Sequence, residues 1–352
     1  MAGFRIATFN LENLGGHPAS DEGLDERLRL LRPQLLRLRA DILCLQEVDS
    51  QRPDGGGERR LDALDALLDG TPYRDFVRFS TRSRSRGEVR DKHNLLILTR
   101  FPITARRQIL HDLVAPPRHR PLGLPGGEAA AERAIEWDRP TLLASLDIGA
   151  GRPLHIIGVH LRAPRAAFVA GAKADSQTWR SMPGWAEGFF LAAVKRAGQA
   201  LETRLLVDSL FDADPDAFIC VCGDFNADLH ETPLRTVCGD EEDAGNPHLA
   251  ARTLVPVERS LADSRRFSVV HHGRPQMLDH VLVSRALLGW YRGVEIHNEA
   301  LGDELITAHA VRGSPESFHA PMVAEFADPL SGIATAAAPP GSAGVAGTGA
   351  TG

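Results

Sequence analysis

Long apolar runs are missing from this 352-residue chain. A membrane-spanning helix needs roughly 20 consecutive apolar residues, so none is expected. Also missing is a basic segment leading into an apolar core and a small-residue cleavage site. Met1-Ala2-Gly3 runs straight into Phe4-Arg5-Ile6-Ala7-Thr8-Phe9. The expectation is therefore no signal peptide and a cytoplasmic protein. Cysteine is scarce, with four in the chain. Cys44, Cys220 and Cys222 fall in apolar strand-like stretches and Cys238 in a loop. Cys220 and Cys222 share one strand face, which suits neither a disulfide nor a complete zinc site, so reduced thiols are expected. Basic residues do not dominate either: the net charge is −6. That argues against a general nucleic-acid coating protein while leaving room for a local basic site.

What is present is enough for a sizeable core. Hydrophobic residues make up 43% and charged residues 24%, which combines burial with solubility. The length allows one large domain or two ordinary ones. Beyond Asp328 the chain is almost entirely Ala, Gly, Pro, Ser and Thr and cannot offset its ordering entropy. We therefore expect one domain over 1–328 and a disordered tail over 329–352. No internal repeat is visible.

The centre of the chain is Phe218-Ile219-Cys220-Val221-Cys222-Gly223-Asp224-Phe225-Asn226. Small and β-branched apolar residues predict a strand buried on both faces, ending at Gly223 and then presenting Asp224 and Asn226. In extended chain those two side chains point the same way. They suit a metal or an attacking water, although Asp and Asn are also ordinary turn formers. Other strands end in the same manner. Residues 4–10 form a strand closing on Asn10, 41–48 one closing on Glu47, and 154–160 one closing on His160. Leu24, Leu28, Leu31, Leu35 and Leu38 predict a core-facing helix, with a kink or a fresh start at Pro33. A second helix, from about Ala186, carries Phe190, Val194, Ala197, Leu201 and Leu205 along one face.

Residues 114–130, rich in Pro, Gly and Ala, predict a long surface loop. An irregular segment over 162–183 leads to Trp179 and Trp185, which either border a site entrance or pack beneath that loop. Seven basic residues lie between Arg74 and Lys92. They predict a solvated loop, with contact to a substrate phosphate as the alternative.

Four strands ending in an amide, a carboxylate, an imidazole and a carboxylate–amide pair point to metal–phosphate chemistry at one rim of a layered α/β protein. Two further histidine-bearing segments follow, around Asp279 and His319. The stretches Thr8-Phe9-Asn10, Leu45-Gln46-Glu47, Gly158-Val159-His160-Leu161, Gly223-Asp224-Phe225-Asn226, Leu278-Asp279-His280 and Ser317-Phe318-His319-Ala320-Pro321 run from Thr8 to Pro321. In that order they resemble the endonuclease/exonuclease/phosphatase superfamily. The resemblance implies an α/β fold, a four-layered sandwich of two packed mixed β-sheets flanked by helices. It also implies a Mg²⁺ cofactor, with Mn²⁺ as the alternative, held by Glu47 with Asn10 beside it.

By the same resemblance Asp224 orients or deprotonates the attacking water and Asn226 holds the phosphate or that water. His319 acts at the scissile phosphate with Asp279 as its partner, and His160 assists a phosphate oxygen or the leaving group. Asn13, His93 and His280 are better explained as turn or core residues than as ligands. Phe318 departs from the family, which usually has Asp there, and so removes a carboxylate from the metal surroundings. The expected activity is metal-dependent phosphodiester hydrolysis by a monomer, with nucleic acid ahead of lipid or inositol phosphate as substrate. A non-catalytic binding or scaffold protein on the same fold is the alternative of another class.

Overall fold

The computed structural model describes residues 3–16, 21–122, 131–175, 178–304 and 316–329. In chain order the first strands are β1 (Phe4–Leu14), β2 (Ile42–Val48), β3 (Val77–Ser80), β4 (Asn94–Thr99), β5 (Ile103–Ile109), β6 (Arg118–His119), β7 (Arg133–Ala134) and β8 (Thr141–Leu146). Then come β9 (Leu154–His160), β10 (Phe218–Asp224), β11 (Leu254–Pro256), β12 (Val269–His271), β13 (Arg274–Gln276), β14 (Asp279–Ser284), β15 (Tyr291–Ile296) and β16 (Met322–Phe326). The longer helices are α1 (Asp21–Leu38) and α3 (Met182–Ala213), with shorter α2 (Asp62–Leu68) and α4 (Thr232–Cys238). Among the described residues the strands form two six-stranded mixed sheets, ordered β15-β16-β1-β2-β4-β3 and β11-β14-β10-β9-β8-β5.

The two-residue period of a strand explains how these sheets stack. Along β1, Phe4 and Ile6 enter the apolar layer between the sheets, while Ala7, Phe9 and Leu11 face outward under α1 and α2. Along β10, Phe218, Cys220 and Cys222 face inward, while Ile219 and Val221 face outward under α3 and α4. Strands β2, β9 and β14 alternate likewise, with Cys44, Ile156 and Val281 inward. The result is helix, sheet, sheet, helix, the four-layered α/β sandwich expected.

Continuing the same two-residue period carries Asn10, four residues beyond Ile6, and Asp224, two beyond Cys222, to the inner face at the end of the sandwich. Because β1 pairs in parallel with β2, and β9 with β10, the carboxyl ends of all four strands share that end.

Helix α1 runs unbroken through Pro33. Its leucines explain why. Leu28, Leu31, Leu35 and Leu38 are all buried, at roughly 1.5–3 kcal/mol each. That exceeds the roughly 3 kcal/mol an internal proline costs. Helix α3 departs from expectation in two ways. It begins earlier, at Met182, where the Ser181 hydroxyl accepts the Gly184 N–H at 3.2 Å and Pro183 occupies the first turn. It also buries a different face. Ala192, Ala200, Leu206, Val207 and Phe211 pack inward, whereas Phe190 (54%), Leu201 (42%) and Leu205 (40%) are exposed. With apolar residues on every side, periodicity could not single out the packed face.

The expected loop over 114–130 carries β6, which pairs with β7 just beyond it, while residues 123–130 lie outside the described residues. Of the expected tail only Pro329 is described. Cys238 closes α4 rather than lying in a loop, and all four cysteines are free. No helix among the described residues is long and apolar enough to cross a membrane.

Gly223 is required by the pairing of β9 and β10. Its φ of +145° is a glycine conformation, and a Cβ there would sit 2.0 Å from the Val159 carbonyl oxygen. At Gly158 a Cβ would meet only Ile97 side-chain atoms, none nearer than 3.6 Å. Gly223→Ala should therefore lower stability by at least about 2 kcal/mol, and Gly158→Ala by less than about 1 kcal/mol. Equilibrium denaturation of the two variants checks the contrast.

Candidate active site at the strand ends

Strand register brings three of the predicted residues side by side. Asp224 at the end of β10 is opposite His160 of β9 on one flank and Asp279 of β14 on the other. All three are buried. His160 Nε2 lies 3.3 Å from Asp224 Oδ2 and 3.6 Å from Glu47 Oε1, so the imidazole spans the two sheets. Asn10 bridges them as well, its Nδ2 donating to Asp224 Oδ2 at 3.0 Å.

Asn226 does not continue the strand as expected. Its φ is +49°. The turn that follows from this folds it back, so that its N–H donates to Asp224 Oδ1 at 2.8 Å and its Nδ2 to Asp224 Oδ2 at 3.1 Å. The short Asn side chain tolerates this left-handed backbone by bonding locally. His319 arrives on the segment before β16 and donates from Nδ1 to Asp279 Oδ2 at 2.7 Å. Ser317 anchors that segment, its Oγ donating to the Asn10 carbonyl at 2.8 Å and accepting the His319 N–H at 3.1 Å.

Glu47 lies in a bulge between Leu45 and Val48, at a φ of +57°. The bulge re-aims its side chain into the cleft. Asn13, Glu12 and His93, all neighbours of this cleft, are also left-handed non-glycine residues. Backbone strain of this kind concentrates at functional sites.

The cleft has a volume of about 460 Å³ and is lined by Glu12, Glu47, Arg139, His160, Asp224, Asn226 and His319 among others. Asn10 and Asp279 stand behind this lining, each 1% exposed. Burial, then the Asp279 charge, push the Asp224 carboxyl up to about 7, against an opposing pull from His319. Burial alone would raise Glu47, but the His93 contact at 3.5 Å and the charges of His160, His93 and Arg139 hold it well below the usual carboxylate range. Burial would lower His319, yet Asp279 above all, with Asp224 and Glu12, holds it well above an ordinary histidine. For His160 burial prevails, reinforced by Arg139, and its pKa falls well below the ordinary value.

Several lining residues were not foreseen, Glu12 and Arg139 chief among them. Glu12 has a carboxyl raised by burial, and its Oε2 accepts the Phe318 N–H at 3.1 Å. It thus stands beside the position where the family usually has Asp. The Asn-Leu-Glu spacing after Asn10 was the available signal, since it repeats the two-residue offset of Asp224 and Asn226. Arg139, just before Pro140 at the start of β8, puts a largely buried cation in the cleft; nothing in its local sequence marks it. Trp179 and Trp185, by contrast, line a separate hollow with Ser181 and Met182. There Trp179 covers Lys173, and Trp185 stacks on Phe189.

A carboxylate-rich pocket with few cations invites a metal ion. Asp224, Asp279 and His319 each bring a ligand-type atom within 4.8 Å of the others, and Asp279 Oδ1 is buried without a hydrogen-bond partner. With Glu12 and Glu47, the donors are mainly hard oxygens, the set that suits Mg²⁺ or Mn²⁺.

His280 is a core residue, as expected. Its Nδ1 meets Glu258 and its Nε2 donates to the Ala227 carbonyl at 2.8 Å, steadying the turn that carries Asn226. Glu258 is fully buried. Glu258→Ala would strand the imidazole and should cost about 3–5 kcal/mol, read by chemical denaturation.

Comparison with known proteins identifies the family and agrees with the fold. The model of the Endonuclease/Exonuclease/phosphatase family matches residues 7–314. An endonuclease/exonuclease/phosphatase structure from Bacteroides vulgatus is similar in fold, with TM-score 0.53 and 15% identity over 93% of this chain and 99% of that one. A family protein from Bacteroides thetaiotaomicron gives TM-score 0.52 and 13% identity over 92% and 94%. TDP2 from C. elegans gives 0.51 and 14% over 92% and 75%. No curated protein matches the chain. The fold, the match over nearly the whole chain and the residues at the strand ends lead to one conclusion: the chain belongs to the endonuclease/exonuclease/phosphatase family of phosphoester hydrolases.

Proposed function

We propose that this protein is a Mg²⁺- or Mn²⁺-dependent phosphodiesterase that cleaves a P–O bond of a nucleic acid by in-line attack of water. The observation that carries this reading is the convergence of Asp224, His160, Glu47 and the Asp279–His319 pair on one cleft. Glu47, with Glu12 beside it and the Asn10 amide behind, would hold the ion. When bound, the ion would stabilise charge developing on the phosphate oxygens.

The chain's own residues supply positioning and proton movement. Asp224 aligns the attacking water and accepts its proton. It is held by three hydrogen bonds, one from Asn10 and two from Asn226. The second Asn226 amide hydrogen goes to the Leu161 carbonyl at 3.1 Å, so the work of Asn226 is to fix Asp224 and to offer its remaining amide oxygen. His319, anchored through Nδ1, presents Nε2 to a non-bridging phosphate oxygen, where its positive charge opposes the charge that builds up. His160 and Arg139 face the same phosphate from the other sheet, and His160 assists the departing oxygen. Glu12 takes the part left open by Phe318, supplying a carboxylate from β1.

Four variants test the assignment. His319→Ala should lower turnover of a phosphodiester about 10²–10⁴-fold, and Asp279→Asn about 10–100-fold. Glu12→Gln should weaken Mn²⁺ binding about tenfold or more, read by calorimetric titration and so independent of turnover. Glu47→Gln should abolish most metal binding and most turnover while the melting temperature holds. Substrate panels of a bis-ester, a monoester, DNA, RNA and sphingomyelin then fix the class. Wild-type turnover in His319→Ala would remove the mechanism, and metal affinity unchanged in Glu47→Gln would remove that residue from the site.

A further inference from the structure

Beside the catalytic cleft lies a larger trough of about 850 Å³, lined by the loop between β3 and β4 together with Arg59, Arg139 and Arg162. Arg139 belongs to both hollows. His93, which touches Glu47, is also on the trough wall. The two therefore run into one another.

Charge sets the trough apart from the rest of the molecule. Eight Arg and Lys line it against four carboxylates, Glu88, Asp91, Glu136 and Asp138, in a chain where acidic residues outnumber basic ones, 46 to 40. Arg59, Arg84, Arg86 and Arg162 pair with Asp91, Asp112, Glu88 and Asp138, and the remaining excess of cations gives the trough a local field that attracts an anion.

The loop is solvated, as expected, but its backbone is ordered. Arg82 pairs with Val89 across it, and Ser83 and Glu88 are joined by a backbone hydrogen bond of 2.8 Å. Gln108 of β5 clamps it from the side, accepting the Arg82 N–H at 2.7 Å and donating to the Arg82 carbonyl at 2.9 Å. Arg84 is held by both oxygens of Asp112 at 2.8 Å. The side chains of Arg84 and Arg86 nevertheless remain 54% and 69% exposed. The cations are pre-positioned, which lowers the ordering cost of binding.

We propose that this trough holds the sugar–phosphate backbone of a nucleic-acid strand as it leaves the catalytic cleft. The inference rests on the phosphodiesterase reading above and extends it by assigning the binding track. Size supports a strand over a small molecule: trough and cleft together exceed the roughly 1,000 Å³ upper end of small-molecule sites. Composition excludes a lipid surface, because Val89 and Leu110 are the apolar residues on the trough wall. No Phe, Tyr or Trp stands on that wall, so the trough lacks an extended platform for base stacking. Recognition is then electrostatic, tolerant of sequence and sensitive to salt.

The test uses the triple variant Arg84→Ala, Arg86→Ala and Lys92→Ala, none of which faces the reacting phosphate. A fluorescent single-stranded DNA of about 20 nucleotides is titrated in EDTA by anisotropy between roughly 50 and 200 mM salt. Loss of three phosphate contacts should weaken binding about tenfold or more and reduce the slope of log affinity against log salt by about 2. Turnover of a bis-ester too small to reach the trough should be unchanged, as should the melting temperature. Unaltered DNA affinity and slope, with bis-ester turnover intact, would overturn the track and leave the phosphodiesterase reading standing. A wild-type protein inactive on every phosphoester would overturn that reading, while the anisotropy slopes would still decide the trough. Loss of inositol hexakisphosphate binding in the triple variant, with DNA binding unaffected, would also overturn it in favour of a small polyphosphate.

Discussion

One carboxylate, Asp224, sits where the two sheets meet, and the site is assembled around satisfying it. A buried ionisable group without partners costs several kcal/mol. Asp224 receives donors from both sides of the seam, from Asn10 on one sheet and from the Asn226 turn on the other. The Asn226 bonds are local, but the Asn10 bond forms only when β1 packs over β10. Folding of the core and construction of the cleft are in this respect the same event.

The rigid part of the site therefore comes from strands, and the chemistry from their last residues and the turns just beyond. Non-glycine residues in the left-handed region gather here, at Glu12, Asn13, Glu47, His93 and Asn226. Each costs something locally, and each is held by a hydrogen bond or bulge belonging to the surrounding sheets. Below them the His280–Glu258 pair supports the Asn226 turn from the outer face of β14. The scaffold thus over-determines the turns, as a site needing fixed distances requires.

Charge is divided in a way that net charge conceals. Carboxylates concentrate in the cleft, where an ion would balance them, and arginines concentrate in the trough at its mouth. An acidic protein can in this way receive a polyanion at one place and repel it elsewhere.

The alternation of β1, β9 and β10, the polar residues at their ends and the six stretches spaced along the chain were all legible in the residue order. A period of two says which residues share a face, and a polar residue closing an apolar run says where the face ends. These pointed to Asn10, Glu47, His160 and Asp224 at one rim of a layered α/β protein, and the family resemblance of the six stretches implied the sandwich and added Asp279 and His319 as candidates. Glu12 and Arg139 could not be read this way. Their importance comes from standing across a cleft from residues far away in the chain, and distance through space has no local signature. The exposed face of α3 was equally hidden, because a helix apolar on all sides carries no moment to orient it. The turn of Asn226 back onto Asp224, and the arginine-lined trough beside Glu47, were likewise decided by tertiary packing. There the left-handed backbone and the Gln108 clamp place groups that sequence spacing alone would have left pointing into solvent.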